Sequence, residues 1–319
     1  MRVVIALGGN AMTAADGAAR PEDQRAAIER AAEPIAELVA AGHQVVLTHG
    51  NGPQVGNLLV KNELAAAVVP PVPLDWCGAQ TQATIGMMLL NAVDRALAGR
   101  NCAARTAALV SRTRVAADDP HFRTPSKPIG RYLPAKEAAV MVQHGQRWED
   151  RGEQGWRRIV ASPEPLECLD VAAARSLVDA GYVVVCSGGG GIPVVSDNGR
   201  IRGVEAVIDK DLTASLLATS LDADLLVIAT DVDHAVLGWG TPDARPLHTI
   251  AVDELRELAR AGSFASGSMG PKIEAACRFV EQTGRGCVVT SLEHIDAAVR
   301  QDQGTVVVAN TTQRSHGTT

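Results

Sequence analysis

Apolar residues in this chain fall into two alternating patterns. Short, nearly unbroken runs of Val, Ile, Leu and Ala occupy 3–7, 43–48, 103–110, 182–186, 225–229, 286–290 and 305–308. Runs of this length, bounded by Gly, Asn or Asp, read as strands buried on both faces. Between them apolar residues recur at helical spacing, as in 22–41, where Ile28, Ala31, Ile35, Leu38 and Val39 share one face and Gly42 ends the run. Similar spacing predicts helices at 54–67, 78–97, 172–180, 212–221, 252–261, 272–282 and 292–300. Strand and helix in regular alternation predict an α/β fold, a mostly parallel sheet with helices on both faces.

One stretch breaks the rhythm. Residues 112–165 are rich in Arg, Pro, Gly, Trp and charge, and their periodicity is weak. A structureless loop that long is improbable in a compact domain. It reads as an inserted subdomain within an N-terminal lobe, 1–204, and its composition predicts a lid that becomes ordered on ligand binding. The turn Ser196-Asp197-Asn198-Gly199 precedes the boundary near Val204, and 205–319 forms the second lobe. The polar end, 310–319, has no period and reads as a frayed tail.

Composition narrows the classes. The 319 residues carry a net charge of −6 without a basic stripe, which argues against nucleic acid as a partner. No apolar run approaches the roughly 20 residues of a membrane-spanning helix, and the N-terminus is too short for a signal peptide before its first strand. With 46% hydrophobic but only 3% aromatic residues, the core is aliphatic. The six cysteines are dispersed and contain no C-x-x-C pair, so no zinc site or disulfide scaffold is expected, and a reducing cytoplasm fits.

The candidate chemistry lies in three lysines and several strand-end loops. Lys127 stands in Thr-Pro-Ser-Lys-Pro-Ile-Gly, Lys210 in Val-Ile-Asp-Lys-Asp, and Lys272 in Gly-Ser-Met-Gly-Pro-Lys-Ile-Glu. Gly8-Gly9-Asn10, His49-Gly50-Asn51-Gly52, Ser187 to Gly191 and Thr230-Asp231-Val232-Asp233 each follow a predicted strand. In an open parallel sheet, ligands bind beyond the carboxyl ends of strands. Glycine and Asn also serve such turns for backbone freedom alone, but four such loops converge on one end of the sheet. Lysines beside exposed backbone amides suit a polyanion, and the chemistry they serve best is phosphoryl transfer, which rests on positioning and charge neutralisation. There is no G-x-x-x-x-G-K-[ST], hence no P-loop, and Ser187 to Gly191 does not open a helix as a dinucleotide fingerprint does. Lys210 also reads as a solvated lysine behind an Asp211 helix cap, and Lys272 as a surface residue of a first helical turn after Pro271. His49 reads as structural rather than as a base. Trp239 is compatible with stacking on a purine or with packing, and Met87 and Met88 with core or a subunit interface.

Together these motifs resemble the carbamate kinases, a branch of the amino-acid kinase superfamily, over nearly the whole chain. The resemblance is carried by Ala6-Leu7-Gly8-Gly9-Asn10-Ala11, by His49-Gly50-Asn51-Gly52-Pro53-Gln54-Val55-Gly56-Asn57, and by Lys127-Pro128-Ile129-Gly130. It continues through Gly188 to Val195, Gly203 to Asp211, and Gly267 to Glu274. It implies an open αβα sandwich, a cytoplasmic homodimer, and reversible transfer between ATP with carbamate and ADP with carbamoyl phosphate, with Mg²⁺, usually toward ATP in arginine metabolism. The family's pattern implies that Lys127, Lys210 and Lys272 surround the transferred phosphoryl while Asp211 organises the lysines. Gly8, Gly9, Asn10, Gly50, Asn51, Gly52, Gly188, Gly189 and Gly190 are expected around the carbamoyl group. Lys210, Thr230, Asp231, Asp233, Ser268, Met269 and Lys272 are expected at the nucleotide, with no protein cage for the metal. Sibling acetylglutamate kinases place a Lys before the first Leu-Gly-Gly; here that residue is Ala6, and Lys127 from the insertion is expected to replace the missing charge. Asp231 and Gly270 depart from what some members carry. The rivals are a nucleotide-binding regulator of the same fold and a sibling kinase with another acceptor.

Overall fold

A computed structural model describes residues 1–9, 20–264 and 269–310. Eight strands form one sheet, in the spatial order Thr249–Ala251, Thr305–Val308, Gly286–Ser291, Leu225–Thr230, Arg2–Leu7, Gln44–His49, Tyr182–Val185 and Arg105–Ala108. All neighbours run parallel except Gly286–Ser291 against Thr305–Val308. The mostly parallel α/β sandwich is therefore as expected.

The strand Arg2–Leu7 shows why the apolar runs are continuous. Val3, Ile5 and Leu7 pack into the core on one face, with helices Pro21–Ala40 and Leu74–Gly99. Val4 and Ala6 pack into the other, with helices Val171–Asp179, Lys210–Ser220, Val252–Arg260 and Met269–Thr283. Each Ile or Leu removed from water in this way contributes about 1.5–3 kcal/mol. The helix Pro21–Ala40 starts with Pro at its first turn, carries Glu22 and Asp23 there, and ends before Gly42 at φ 87°.

This topology sets where a ligand goes. From Arg2–Leu7 the chain crosses to Gln44–His49 on one side, while Leu225–Thr230 pairs on the other. The loops after these strands leave the same end of the sheet where strand order reverses, and a crevice opens there.

Two smaller sheets modify the expectation for 112–165. Arg112–Arg114 belongs to a four-stranded sheet with Ile192–Asp197, Arg200–Gly203 and Glu167–Cys168. A separate antiparallel sheet is formed by strands Lys127–Leu133, Trp148–Asp150 and Trp156–Val160, with the helix Ala135–Gln143 between the first two in sequence. Its base is docked on the body. Ile129 and Val160 pack with Val55, Leu59, Leu74 and Cys77, and Arg131 pairs with the buried carboxylate of Glu63 at 2.8 Å. Five cysteines are buried and Cys102 is half-buried, all as free thiols, in keeping with their reading as small hydrophobes. Among the described residues no helix is long and apolar enough to cross a membrane.

Candidate active site

A cavity of about 760 Å³ lies at the crevice. Its lining includes Gly8, Gly9, Gly50, Asn51 and Gly52, Lys127 to Arg131 with Arg157, and Asp209 to Asp211, Thr230, Pro271 and Lys272. Lys127, Lys210 and Lys272, far apart in sequence, thus face one space. With Arg131 and Arg157 they make five cationic side chains against the two carboxylates of Asp209 and Asp211. In a chain of net charge −6, that local excess is a site built for an anion.

The lysines are held by one carboxylate. Asp211 accepts from Lys210 Nζ at 2.6 Å and from Lys272 Nζ at 3.2 Å, one lysine on each oxygen. Burial pushes the Asp211 carboxyl pKa up, but the charges and hydrogen bonds of Lys210 and Lys272 outweigh burial and hold it below its ordinary value. Asp211 does not cap its helix. Asp209 does, accepting from the backbone N–H of Asp211 at 2.9 Å and more loosely from Leu212 at 3.4 Å. The Asp211 side chain is thereby left to the lysines. Lys210 and Lys272 both stand in the first turns of helices, Lys210–Ser220 and Met269–Thr283. Helix N-termini disfavour cations and attract anions, so both helices and both lysines present positive potential to the cavity. Lys272 is not in the exposed turn that its sequence suggested: it is 4% exposed, because the helix starts three residues earlier and packs it inside.

The glycine wall is a contact of backbone on backbone. Gly50 N–H donates to Leu7 O and Gly8 N–H to Ala229 O, tying three strand ends together. A Cβ on Gly50 would lie 2.6 Å from Gly9 N and 2.8 Å from Gly9 Cα. The run after Tyr182–Val185 is less uniform than expected. Gly189 and Gly191 line the cavity, whereas Gly188 and Gly190 are buried behind it, where side chains would strike the His49 ring and Ile208 O. Gln82 Nε2 donates to Gly188 O and Ser111 O, Thr113 and Thr213 donate to Gly190 O, and Ser187 N–H donates to Ser111 Oγ. These supports of the loop, with Arg131 and Arg157 in the lining, went unnoticed in the sequence. Only their distance along the chain hid them, since each is an ordinary polar residue until the fold brings it to the loop.

On the other side Thr230 lines the cavity and donates to Asp231. Asp233 lies outside the lining, where hydrogen bonds from Ser291 and His294 lower its carboxyl pKa against a smaller opposing effect of burial. Met269 opens its helix and packs on the core. Trp239 is exposed and does not line the cavity. Asn10 and Ser268 lie outside the described residues.

His49 is fully buried, with Nδ1 3.0 Å from Gly50 O and Nε2 without a partner. Burial lowers its pKa from 6.5 to about 4; the Gly50 hydrogen bond opposes this and the Lys210 charge adds to it. The ring is therefore neutral near pH 7, donates from Nδ1, and is structural. The sign of its linkage follows. Between about pH 6.5 and 4 the unfolded chain takes up the proton and the folded chain does not, so stability falls as pH drops through that window. The loss is on the order of 3 kcal/mol. Urea unfolding at pH 7 and pH 4.5 should show a shallower pH dependence in His49→Asn, whose amide replaces the donor without titrating; equal slopes in variant and wild type would refute this.

Comparison with known proteins bears on the same site. Residues 1–291 match the profile of the amino acid kinase family. Carbamate kinase 2 of Enterococcus faecalis is 44% identical over 307 residues, covering 95% of this chain and 97% of the relative. The chain belongs to the carbamate kinases of the amino acid kinase family. Carbamate kinase of Thermococcus kodakarensis is 42% identical, with 96% and 99% covered. Carbamate kinase from Giardia lamblia bound to AMP-PNP superposes with a TM-score of 0.91 at 41% identity, covering 97% of this chain and 98% of that one. An aspartate kinase from Synechocystis, at 17% identity and a TM-score of 0.54, shares the fold alone.

Proposed function

We propose that the chain transfers a phosphoryl group reversibly between carbamoyl phosphate and ADP, and that it works toward ATP. The observation that carries this reading is Asp211 holding Lys210 and Lys272 together at the head of a cavity floored by Gly9 and Gly50. A β-phosphate oxygen of ADP forms a bond to the phosphorus of carbamoyl phosphate, and the bond from phosphorus to the carbamate oxygen breaks. No proton need move, so catalysis is charge neutralisation and alignment. Lys210 and Lys272, already positioned by Asp211, face the oxygens of the transferred group, and Lys127 faces it from the insertion. In this reading the 1–204 lobe holds the carbamoyl group through the Gly8, Gly50 and Gly189 loops, and the 205–319 lobe holds the nucleotide beside Thr230 and Met269.

Mg²⁺ fits as an ion carried by the nucleotide. Both Asp211 oxygens are engaged by lysines, and the described residues bring no three His, Cys, Asp or Glu side chains together as a cage. Phosphates and water would hold the ion, which would neutralise phosphate charge. A homodimer is part of the same reading, supported by Trp76 and Met87, exposed three turns apart on the helix Leu74–Gly99. Elution of the active fraction at the mass of one copy would overturn it.

The direct test is ATP formation from ADP and carbamoyl phosphate in a coupled assay, with acetylglutamate, aspartate and uridine monophosphate as alternative acceptors of phosphate from ATP. Turnover with one of these and none with carbamoyl phosphate would favour a sibling kinase, and nucleotide binding without any turnover would favour a regulator. In the same assay Lys127→Ala lowers kcat/KM for carbamoyl phosphate by about 10–100-fold and leaves ADP affinity nearly unchanged. A tenfold weaker ADP affinity would instead place Lys127 at the nucleotide.

A further inference from the structure

Besides the Arg131–Glu63 pair, the insertion meets the body through a buried guanidinium, Arg158, paired with a carboxylate, Glu205, that is itself exposed. Arg158, on the strand Trp156–Val160, is 4% exposed, and its Nε has no partner. Its Nη2 donates to Glu205 Oε2 at 2.5 Å, the carboxylate it pairs with among the described residues. The other oxygen, Glu205 Oε1, accepts from the backbone N–H of Leu74 at 2.8 Å, where the helix Leu74–Gly99 begins. One carboxylate therefore ties together the insertion, a body helix and the segment that leads to the catalytic lysine.

Register carries this tie to Lys127. In the antiparallel pair of Lys127–Leu133 with Trp156–Val160, Lys127 stands opposite Val160 and Ile129 opposite Arg158. Residues directly opposite share a face, as do residues two apart on one strand. Lys127, Ile129, Arg158 and Val160 thus form one face. That face packs on the body through Ile129 and Val160, in a cluster that also takes Leu74 and Val207. Just beyond the strand, Ala161 O accepts from the Val207 N–H at 3.0 Å. Val207, Ile208, Asp209, Lys210 and Asp211 then follow one another along the cavity wall.

We propose that Glu205 is a positioning residue: by pairing with Arg158 it locks the base of the insertion to the segment 205–211 and so fixes Lys127 relative to Lys210 and Asp211. The proposal rests on the phosphoryl-transfer reading above for its kinetic consequence, but not for its mechanical one. Burial lowers the Arg158 pKa, with the Glu205 charge the largest opposing influence. A guanidinium taken out of water is stable only beside its partner, so loss of Glu205 gives Arg158 reason to leave its seat. The strand that carries Arg158 moves with it, and Lys127 lies on the paired strand.

The test uses Glu205→Gln, which keeps an acceptor for Leu74 and removes the charge. Hydrogen exchange without substrates is expected to quicken in 127–133 and 156–160. In the transfer assay kcat/KM for carbamoyl phosphate is expected to fall about 10–100-fold, the scale of a misplaced positioning group, while ADP affinity changes less than about twofold. The same substitution in the Lys127→Ala background is expected to cost less than about twofold more, because two changes that act through one side chain are not additive. Equal losses in both backgrounds, or unchanged exchange in the two strands, would overturn the proposal. If wild type shows no transfer, the functional reading fails, and the exchange measurement still decides the latch. If Glu205→Gln does not fold, the double variant Glu205→Gln with Arg158→Met removes the stranded charge and is expected to fold, with exchange in 127–133 and 156–160 near wild type; failure of the double variant to fold as well would overturn the proposal.

Discussion

Lys210→Ala and Lys272→Ala each lower kcat by about 10²–10³, the effect of removing one preorganised donor from a site where charge develops, or ~3–4 kcal/mol of barrier. The two differ in what else they cost. The Lys210 side chain is 15% exposed and Lys272 only 5%, and both lean on the same Asp211 carboxylate. Without Lys272, a carboxylate that is itself 5% exposed keeps only Lys210 of the pair. Unfolding in urea should therefore show Lys272→Ala to be the less stable, by roughly 1–3 kcal/mol, the penalty of a buried group left short of a partner. Lys210→Ala should unfold near wild type, since solvent can reach the vacated place. Steady-state kinetics give the first number and urea midpoints the second. A kcat within about threefold of wild type in either variant would remove that lysine from the mechanism.

The sequence reports unequally on different parts of this fold. Strands buried on both faces announced themselves: the run 3–7 is the strand Arg2–Leu7, and 225–229 is Leu225–Thr230. Edge and surface strands did not. Lys127–Leu133 is exposed at four of its seven positions, so its residues alternate neither in polarity nor in size, and the region read as irregular. The helix predicted at 78–97 begins at Leu74, because Pro73 sits at its N-cap and Asp75 in the first turn. The lysines were legible from their glycine and proline neighbours. What neighbours in sequence cannot give is depth and direction. Lys272 reads as a surface residue but is buried, and Asp211 reads equally as a helix cap or as the organiser of the lysines, where the cap is Asp209. Both ambiguities come from the same place. A cap and a ligand-organising carboxylate use the same residue type within two positions, and only the direction of the side chain tells them apart.

The insertion shows how such local ambiguity becomes function. Its composition predicted a mobile lid. Its base is docked through Ile129 and Val160 and through two ion pairs, each with one member buried: Glu63 against the exposed Arg131, and Arg158 against the exposed Glu205. Lys127 sits at that base, on the cavity wall, and remains exposed. A cation on a docked strand loses little freedom when it meets a phosphate, so affinity and alignment are gained together. Ala6, where sibling kinases carry a lysine, is fully buried in the strand beneath the glycine turn. In the proposed reaction the charge that meets the substrate from this side comes from the insertion.

Gly50→Ala is expected to cost the enzyme nearly all its activity and part of its stability. The added Cβ would lie 2.6 Å from Gly9 N and 2.8 Å from Gly9 Cα, with Lys210 Cδ at 3.1 Å on its other side. A clash with the end of a side chain is relieved by a rotamer change; a clash with backbone is relieved only by moving the turn. Overpacking of this kind costs about 1–3 kcal/mol. The upper end applies here, because Gly50 N–H is bound to Leu7 O and Gly8 N–H to Ala229 O, so the turn cannot move alone. Whichever side yields, either the Gly8-Gly9 wall or Lys210 shifts by a sizeable fraction of an ångström within a site that works by alignment. A displacement near 1 Å costs about 10² in rate. Gly99→Ala, where a Cβ meets nothing within 4 Å, serves as the control and should leave both kcat and urea midpoint close to wild type. If Gly50→Ala turns over within about threefold of wild type and unfolds at the same urea concentration, the contact of Gly9 with Gly50 is not what shapes the cavity, and the glycine wall owes its residues to turn geometry alone.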